Sequence, residues 1–451
     1  MSRLLIFIPL AITALGLGFL CGYSQTGWHV QRTILVDRLN IPAASVYPKI
    51  VETAGKKNTP PREGAETARQ DGEDDAPAQG GGMSMTVEPN NANLIILPTS
   101  LETDPIPPVG RITRTNRRLE VISKVYEINQ LYRSMRGPWS QNRVSLLDSA
   151  TPELCWITGC HVEMVGADGH SAMPDQLMCH ANLDLDRNAH RAALGVNKTF
   201  DERLFTLSQG LLHVEFPTGC GFPMMSNEPI NLTTQVLNHN WKDQTFQVRH
   251  RVRIDFVRDR DLDPRQPMKP LYETGASAMK SLENRSLVYD YAPEGAPTAS
   301  GLLTSMCMPG RKANDRDASP DSLGRKFTGH WIVKPGREEN RTRVTTLMHL
   351  PWDTTIHHIA VHLHPFAESL ELRDITTGAT VFKSQATNLE GKIGLKRVEY
   401  FSSAEGLAVF KSHEYELVSH YNNTSDEDQD SMAVMYIYLL DKEFKKPTNA
   451  P

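Results

Sequence analysis

The chain has 451 residues, of which 22% are charged and 39% hydrophobic, with a formal net charge of −5 and six cysteines. Charges of both signs are mixed along it, so there is no basic footprint for nucleic acid. Six cysteines fit an oxidising compartment but not a disulfide-dense scaffold.

In chain order, residues 4–23 follow the basic Arg3 as a run of about 20 apolar or small residues, long enough to cross a bilayer as a helix. The run is long for a secretory signal and lacks an Ala-X-Ala site. An uncleaved anchor is therefore expected within residues 1–24, with a cleaved signal peptide as the alternative; either exports the body to a periplasmic, extracellular or lumenal space. Residues 25–110 read as a linker. Thr59-Pro-Pro-Arg and Glu73-Asp-Asp-Ala-Pro-Ala-Gln-Gly-Gly-Gly within it bury too little apolar surface to offset chain entropy. Over residues 111–140 the apolar positions Leu119, Ile122, Val125, Ile128, Leu131 and Tyr132 fall mostly three or four apart and end at Gly137-Pro138. That spacing predicts one amphipathic helix over residues 116–135, packed on the body or pairing in a homodimer.

From residue 150 short β-branched and aromatic runs alternate with Gly, Pro, Asn and Asp. In Thr245-Phe-Gln-Val-Arg-His-Arg-Val-Arg-Ile-Asp-Phe-Val, alternation of apolar and polar residues predicts a half-buried antiparallel strand. So many strands exceed one small sandwich. The expected fold class is all-β, with two tandem β-sandwiches over residues 141–315 and 316–445.

Chemistry concentrates near the C-terminus. In Ile359-Ala-Val-His362-Leu-His364-Pro both imidazoles fall on one face of a predicted strand, because side chains two apart point the same way. Met432 opens an apolar aromatic run over residues 432–440 that reads as a second buried strand able to pair beside the first. Two imidazoles and a thioether suit copper, Cu(I) above all, better than zinc or calcium. The plain alternative is a surface histidine pair and a core methionine.

The segment 327–440 resembles the C-terminal half of the copper type II, ascorbate-dependent monooxygenases, the family of peptidylglycine alpha-hydroxylating and dopamine beta-monooxygenases. It has a Pro-Gly turn in Val333-Lys-Pro335-Gly336-Arg-Glu, then the His-X-His pair, an acidic residue at Asp430, the methionine and an aromatic strand, in the family's order. By this resemblance His362, His364 and Met432 are the catalytic ligands of an oxygen-activating copper, and Tyr436 lines a substrate pocket or is simply core. The first half is similar more faintly, through Leu154-Cys155-Trp-Ile and Phe216-Pro217-Thr-Gly219-Cys220-Gly221-Phe222. It is also similar at Gln235-Val-Leu-Asn-His239-Asn and at Gln176-Leu-Met-Cys179-His180-Ala-Asn. There the resemblance implies an electron-transfer copper on His180 and His239, with Cys179 where the family has histidine. Cys179 is either a thiolate ligand or a buried or disulfide-bonded cysteine in a degenerate site.

What the resemblance implies overall is two jelly rolls, one or two coppers facing a solvent-filled cleft, and C–H hydroxylation with oxygen and ascorbate or another one-electron reductant. Ala360 occupies the position where the peptide-amidating members hold the substrate carboxylate with Arg, so the small-molecule or peptide substrate is expected to differ from theirs. A copper carrier without turnover, or an envelope interaction module without metal, are the competing readings. Cys155, Cys160, Cys220 and Cys307 are available for disulfides, and His357 and His358 either orient a ligand ring or are structural.

Overall fold

Phe246–Arg258 is the strand its alternation predicts: Val248, His250, Val252, Ile254 and Phe256 are buried while Arg251, Arg253 and Asp255 between them are partly exposed, Arg249 alone being buried on the other face. It pairs antiparallel with Leu154–Gly166 on one side and Arg118–Ile122 on the other. The computed structural model describes residues 110–283, 287–289 and 319–447, with the backbone of a short strand at Ile95–Leu97. The expected anchor within residues 1–24, nearly all of the linker and the boundary at 315/316 lie outside the described residues. Among the described residues no helix is long and apolar enough to cross a membrane.

A 12-stranded sheet runs through the molecule. Beyond Leu154–Gly166 it continues through Cys220–Met225, Lys269–Ser277, Ala433–Leu440, Thr354–Leu363 and Phe401–Val409. The joint between Cys220–Met225 and Lys269–Ser277 is parallel, and the pairings that follow it are antiparallel. Two smaller sheets supply the other layer. One is four-stranded, ordered Trp139–Val144, Ile230–Val236, Met178–Leu185 and Arg203–Ser208; the other is five-stranded and includes Ala367–Asp374 and Tyr415–Asn423. One hydrophobic core joins all three sheets, including Ile157, Leu183, Phe205, Ile254, Ile359, Leu372, Leu417 and Ile437.

Ala433–Leu440 has the near-continuous apolar sequence of a strand buried on both faces, and it is the innermost strand of the second half. It pairs with Thr354–Leu363 in the register His362 to Val434, and with Lys269–Ser277 in the register Gly275 to Tyr436. The fold is all-β.

Two expectations are corrected. The helix over residues 116–135 is instead two strands, Arg118–Ile122 and Tyr126–Ile128. Leu119 and Val121 alternate into the core with Tyr126 and Ile128, whereas Leu131, on the supposed helical stripe, is 48% exposed. A short apolar set fits both periods, and the open edge of Phe246–Arg258 decides between them by burying the β-branched residues. Second, Cys155, Cys160, Cys179 and Cys220 are free thiols. Cys155 and Cys160 share one strand, where five residues span about 16 Å, far more than the ~7 Å a disulfide tolerates. A bond to Cys307 falls outside the described residues.

Candidate metal centre at the seam between the two halves

His362 lies near the end of Thr354–Leu363 and His364 just beyond it, both buried. Their rings stand nearly perpendicular with centroids 5.2 Å apart. A hydrogen bond of 2.9 Å joins Nδ1 of His362 to Oγ of Ser208 in the first half. Nδ1 of His364 donates to the Asp430 carbonyl at 3.3 Å, while the Asp430 carboxylate lies 3.8 Å from that nitrogen and 3.2 Å from Nε2 of His330. His330, His364 and Asp430 thus form a group whose candidate ligand atoms all lie within 4.8 Å of one another.

The first half reaches the same place through a β-bulge. Between Met178–Leu185 and Ile230–Val236 the register passes from Gln235 opposite His180 to Val236 opposite Met178, which leaves Cys179 unpaired. A bulge re-aims a side chain that regular alternation would send to the opposite face. Accordingly Sγ of Cys179 is only 3.3 Å from Nδ1 of His180 and 3.8 Å from Oγ of Ser134. His239 follows the strand, and its buried Nε2 has no hydrogen-bond partner.

Cys179, His239, His362, His364 and Asp430 line one cavity of about 20 Å³. A single water site needs roughly 10–15 Å³. The space therefore suits an ion or one or two waters. His180 sits behind Cys179, near enough to His362 and His364 for the imidazoles to disfavour one another's charge.

Met432 does not line the cavity; its carbonyl accepts from the His364 N–H at 3.3 Å and from the Tyr421 hydroxyl at 2.6 Å. Tyr436 is core, fully buried, with its hydroxyl accepting from Thr206 at 3.0 Å. His357 bonds Thr355 and Ser403, and His358 is enclosed by Phe216, Tyr400 and Tyr438, so neither reaches the cavity. Sequence reasoning missed His330 and Ser208. Both are recruited across sheets, without a local spacing that announces them; the one available signal was a histidine directly ahead of the apolar Trp331–Val333 strand.

Electrostatics keep the imidazoles and the carboxylate in ligand form. Burial drives His362 well below the ordinary imidazole value, with His364 and His180 adding to the effect. Burial likewise lowers His180 to about 3, and lowers His364 to about 4 against the opposing pull of Asp430. Burial favours a protonated Asp430, but the His330 hydrogen bond and the surrounding imidazoles outweigh it and hold the carboxyl at about 2. Burial raises the Cys179 thiol to about 11. The centre at neutral pH is thus neutral imidazoles, one carboxylate and one thiol.

No protein-family model and no curated protein matches this sequence. Among solved structures, the chain is similar to the STIV MCP at 8% identity, covering 70% of this chain and 97% of that one, with a TM-score of 0.24. It is also similar to PBCV-1 VP54 fitted into a reconstruction of the virophage Sputnik, at 10% identity over 75% and 98% of the two chains, with a TM-score of 0.22. At such scores neither likeness bears on function.

Proposed function

We propose that this chain is an exported copper protein whose single ion is held at the seam by His362, His364 and His239, with Cys179 as the fourth donor. The observation that supports the reading is that these side chains, from both halves, line one ion-sized cavity, next to the one group among the described residues whose ligand atoms lie within 4.8 Å of one another, His330, His364 and Asp430. The donors fit copper: three imidazoles and a thiol are a borderline-to-soft set, and the buried Nε2 of His239 lacks any other partner. With Nδ1 of His362 held by Ser208 and Nδ1 of His364 by the Asp430 carbonyl, Nε2 of each ring is the nitrogen left for the ion. His330 and Asp430 flank that ring, the Asp430 carboxylate reaching both imidazoles.

The resemblance to the copper type II monooxygenases, with their paired jelly rolls, supplies the activity we infer: C–H hydroxylation using oxygen and a one-electron reductant such as ascorbate. Bound copper would supply the one-electron redox chemistry. The protein's part is to orient the imidazoles, keep the ion's surroundings dry and release the Cys179 proton when the ion enters. A carrier without turnover is the second reading, favoured by the thiol.

The test is copper per chain in the full-length protein after anaerobic Cu(I) loading and desalting, beside the His362→Ala/His364→Ala variant. One copper falling to none is expected; no copper in the wild type overturns the proposal. Ascorbate-dependent oxygen uptake by the loaded protein then separates the oxygenase from the carrier.

A further inference from the structure

The metal cavity has a larger neighbour. A second cavity of about 400 Å³ shares Phe366 with it, that residue lining both. Spaces of roughly 300–1,000 Å³ are the usual size of small-molecule sites. Phe366 is one of three non-glycine residues with positive φ among the described residues, at +70°, a conformation sparsely populated for a bulky side chain. The surroundings hold it there. Asn388 accepts from the Phe366 N–H at 2.7 Å and donates to the Ala367 carbonyl at 2.8 Å, and the Asn422 N–H donates to the Phe366 carbonyl at 2.8 Å. Three hydrogen bonds from two segments thus fix the Phe366 backbone beside two cavities, as strained residues at ligand sites are fixed.

The lining selects a ligand class. Asn240 spends its amide on both backbone groups of Ile393, at 2.8 and 2.9 Å, and so ties the cavity's rim to the first half. Each charged side chain has a partner: Glu368 pairs with Arg337 at 3.7 Å, and Lys392 stands over the Trp241 ring at 4.9 Å. The Asn422 amide and the Thr424 hydroxyl line the cavity without a side-chain hydrogen-bond partner among the described residues, beside the apolar Leu389 and Ile393.

We infer that this cavity binds a neutral small molecule rich in hydroxyl and amide groups, of the saccharide class, with Phe366 as the wall between it and the ion-sized cavity. The assignment holds with or without copper, so its failure and that of the metal reading are separate.

The experiment is saturation-transfer NMR on the metal-free full-length protein with methyl β-glucoside and methyl β-N-acetylglucosaminide, against glucuronate and glucosamine as charged comparators. Signal from a neutral glycoside, cut at least tenfold by Thr424→Trp, which fills the cavity from an exposed position, and by Asn422→Leu, is expected. Phe366→Ala should speed iodoacetamide labelling of Cys179 at least tenfold, with the bound glycoside slowing it again, while buried Cys155 stays unlabelled as a sign that the fold is intact. The assignment is overturned if neither neutral glycoside binds, if a charged comparator binds better, or if both blocking variants bind as the wild type does. Unchanged Cys179 labelling in Phe366→Ala, with Cys155 protected, removes Phe366 as the wall.

Discussion

Oγ of Ser208 and Nδ1 of His362 lie 2.9 Å apart, in different sheets and in different halves of the chain. Through that bond the first half orients the His362 ring of the second. Ser208→Ala should weaken Cu(I) binding about 10- to 100-fold, the usual effect of losing a ligand's outer partner, with the fold retained. Competition with a chromophoric Cu(I) chelator reads the affinity. Wild-type affinity in Ser208→Ala would show that the serine does not orient the ring.

The free cysteines make a second expectation. Burial pushes the thiols of Cys155 and Cys179 up to about 12 and about 11, and raises Cys160 and Cys220 as well. Because the thiolate is the reactive form, all four should resist alkylation at pH 8 in the native protein and label fully in denaturant without reduction. Peptide mass spectrometry assigns the sites. A disulfide-linked peptide joining any two of the four would contradict the structure.

His250 and His358 are completely buried and do not line the ion-sized cavity, and burial lowers both from the ordinary 6.5 to about 3. Their folded values are depressed, so the unfolded chain takes up protons first. Their contribution to stability is full above pH 6.5 and is lost as pH falls toward 3. Each group contributes a slope of up to ~1.4 kcal/mol per pH unit in that window. His358→Phe should therefore narrow the stability difference between pH 7 and pH 5 by about 2 kcal/mol, measured by urea unfolding at the two pH values. An undiminished difference would mean that His358 is charged in the folded protein.

Glu273 works in the opposite sense. Burial, reinforced by Asp201, raises its carboxyl well above the ordinary value of 4.5, and neither carboxylate oxygen has a hydrogen-bond partner. The folded state keeps a proton that the unfolded state loses, so stability declines as pH rises from 4.5 toward the folded value. Glu273→Gln should stabilise the protein at pH 7 by about 1–3 kcal/mol and change little below pH 4. A destabilised Glu273→Gln at pH 7 would place a charged partner against this carboxylate.

The sequence made some of this legible and concealed the rest for physical reasons. The His362/His364 strand and its apolar partner over residues 433–440 announce themselves because their spacing and burial are local properties of the chain. Residues 116–135 misled because six apolar positions fit a helical stripe as well as a strand face; a sheet edge more than a hundred residues away settles the matter. Cys179 shares the cavity with His239 because a bulge re-aims it, and a bulge depends on the partner strand's register rather than on the sequence around it. His330 meets Asp430 only through the pairing of Trp331–Val333 with Gln429–Ser431. Met432 and Tyr436, prominent in sequence, contribute a backbone carbonyl and core packing instead.

The pairing of Lys269–Ser277 with Ala433–Leu440 also governs how the molecule tolerates being cut. Seven register pairs bind a strand of the first half to the central strand of the second. If the chain were cleaved between residues 283 and 319, each fragment would present an unpaired strand edge whose natural complement is the other fragment, and an edge of that kind pairs with whatever extended chain it meets. Co-expressed pieces should accordingly reassemble, whereas either piece alone should aggregate. Because the ion-sized cavity draws its side chains from both pieces, copper retention would report their reunion.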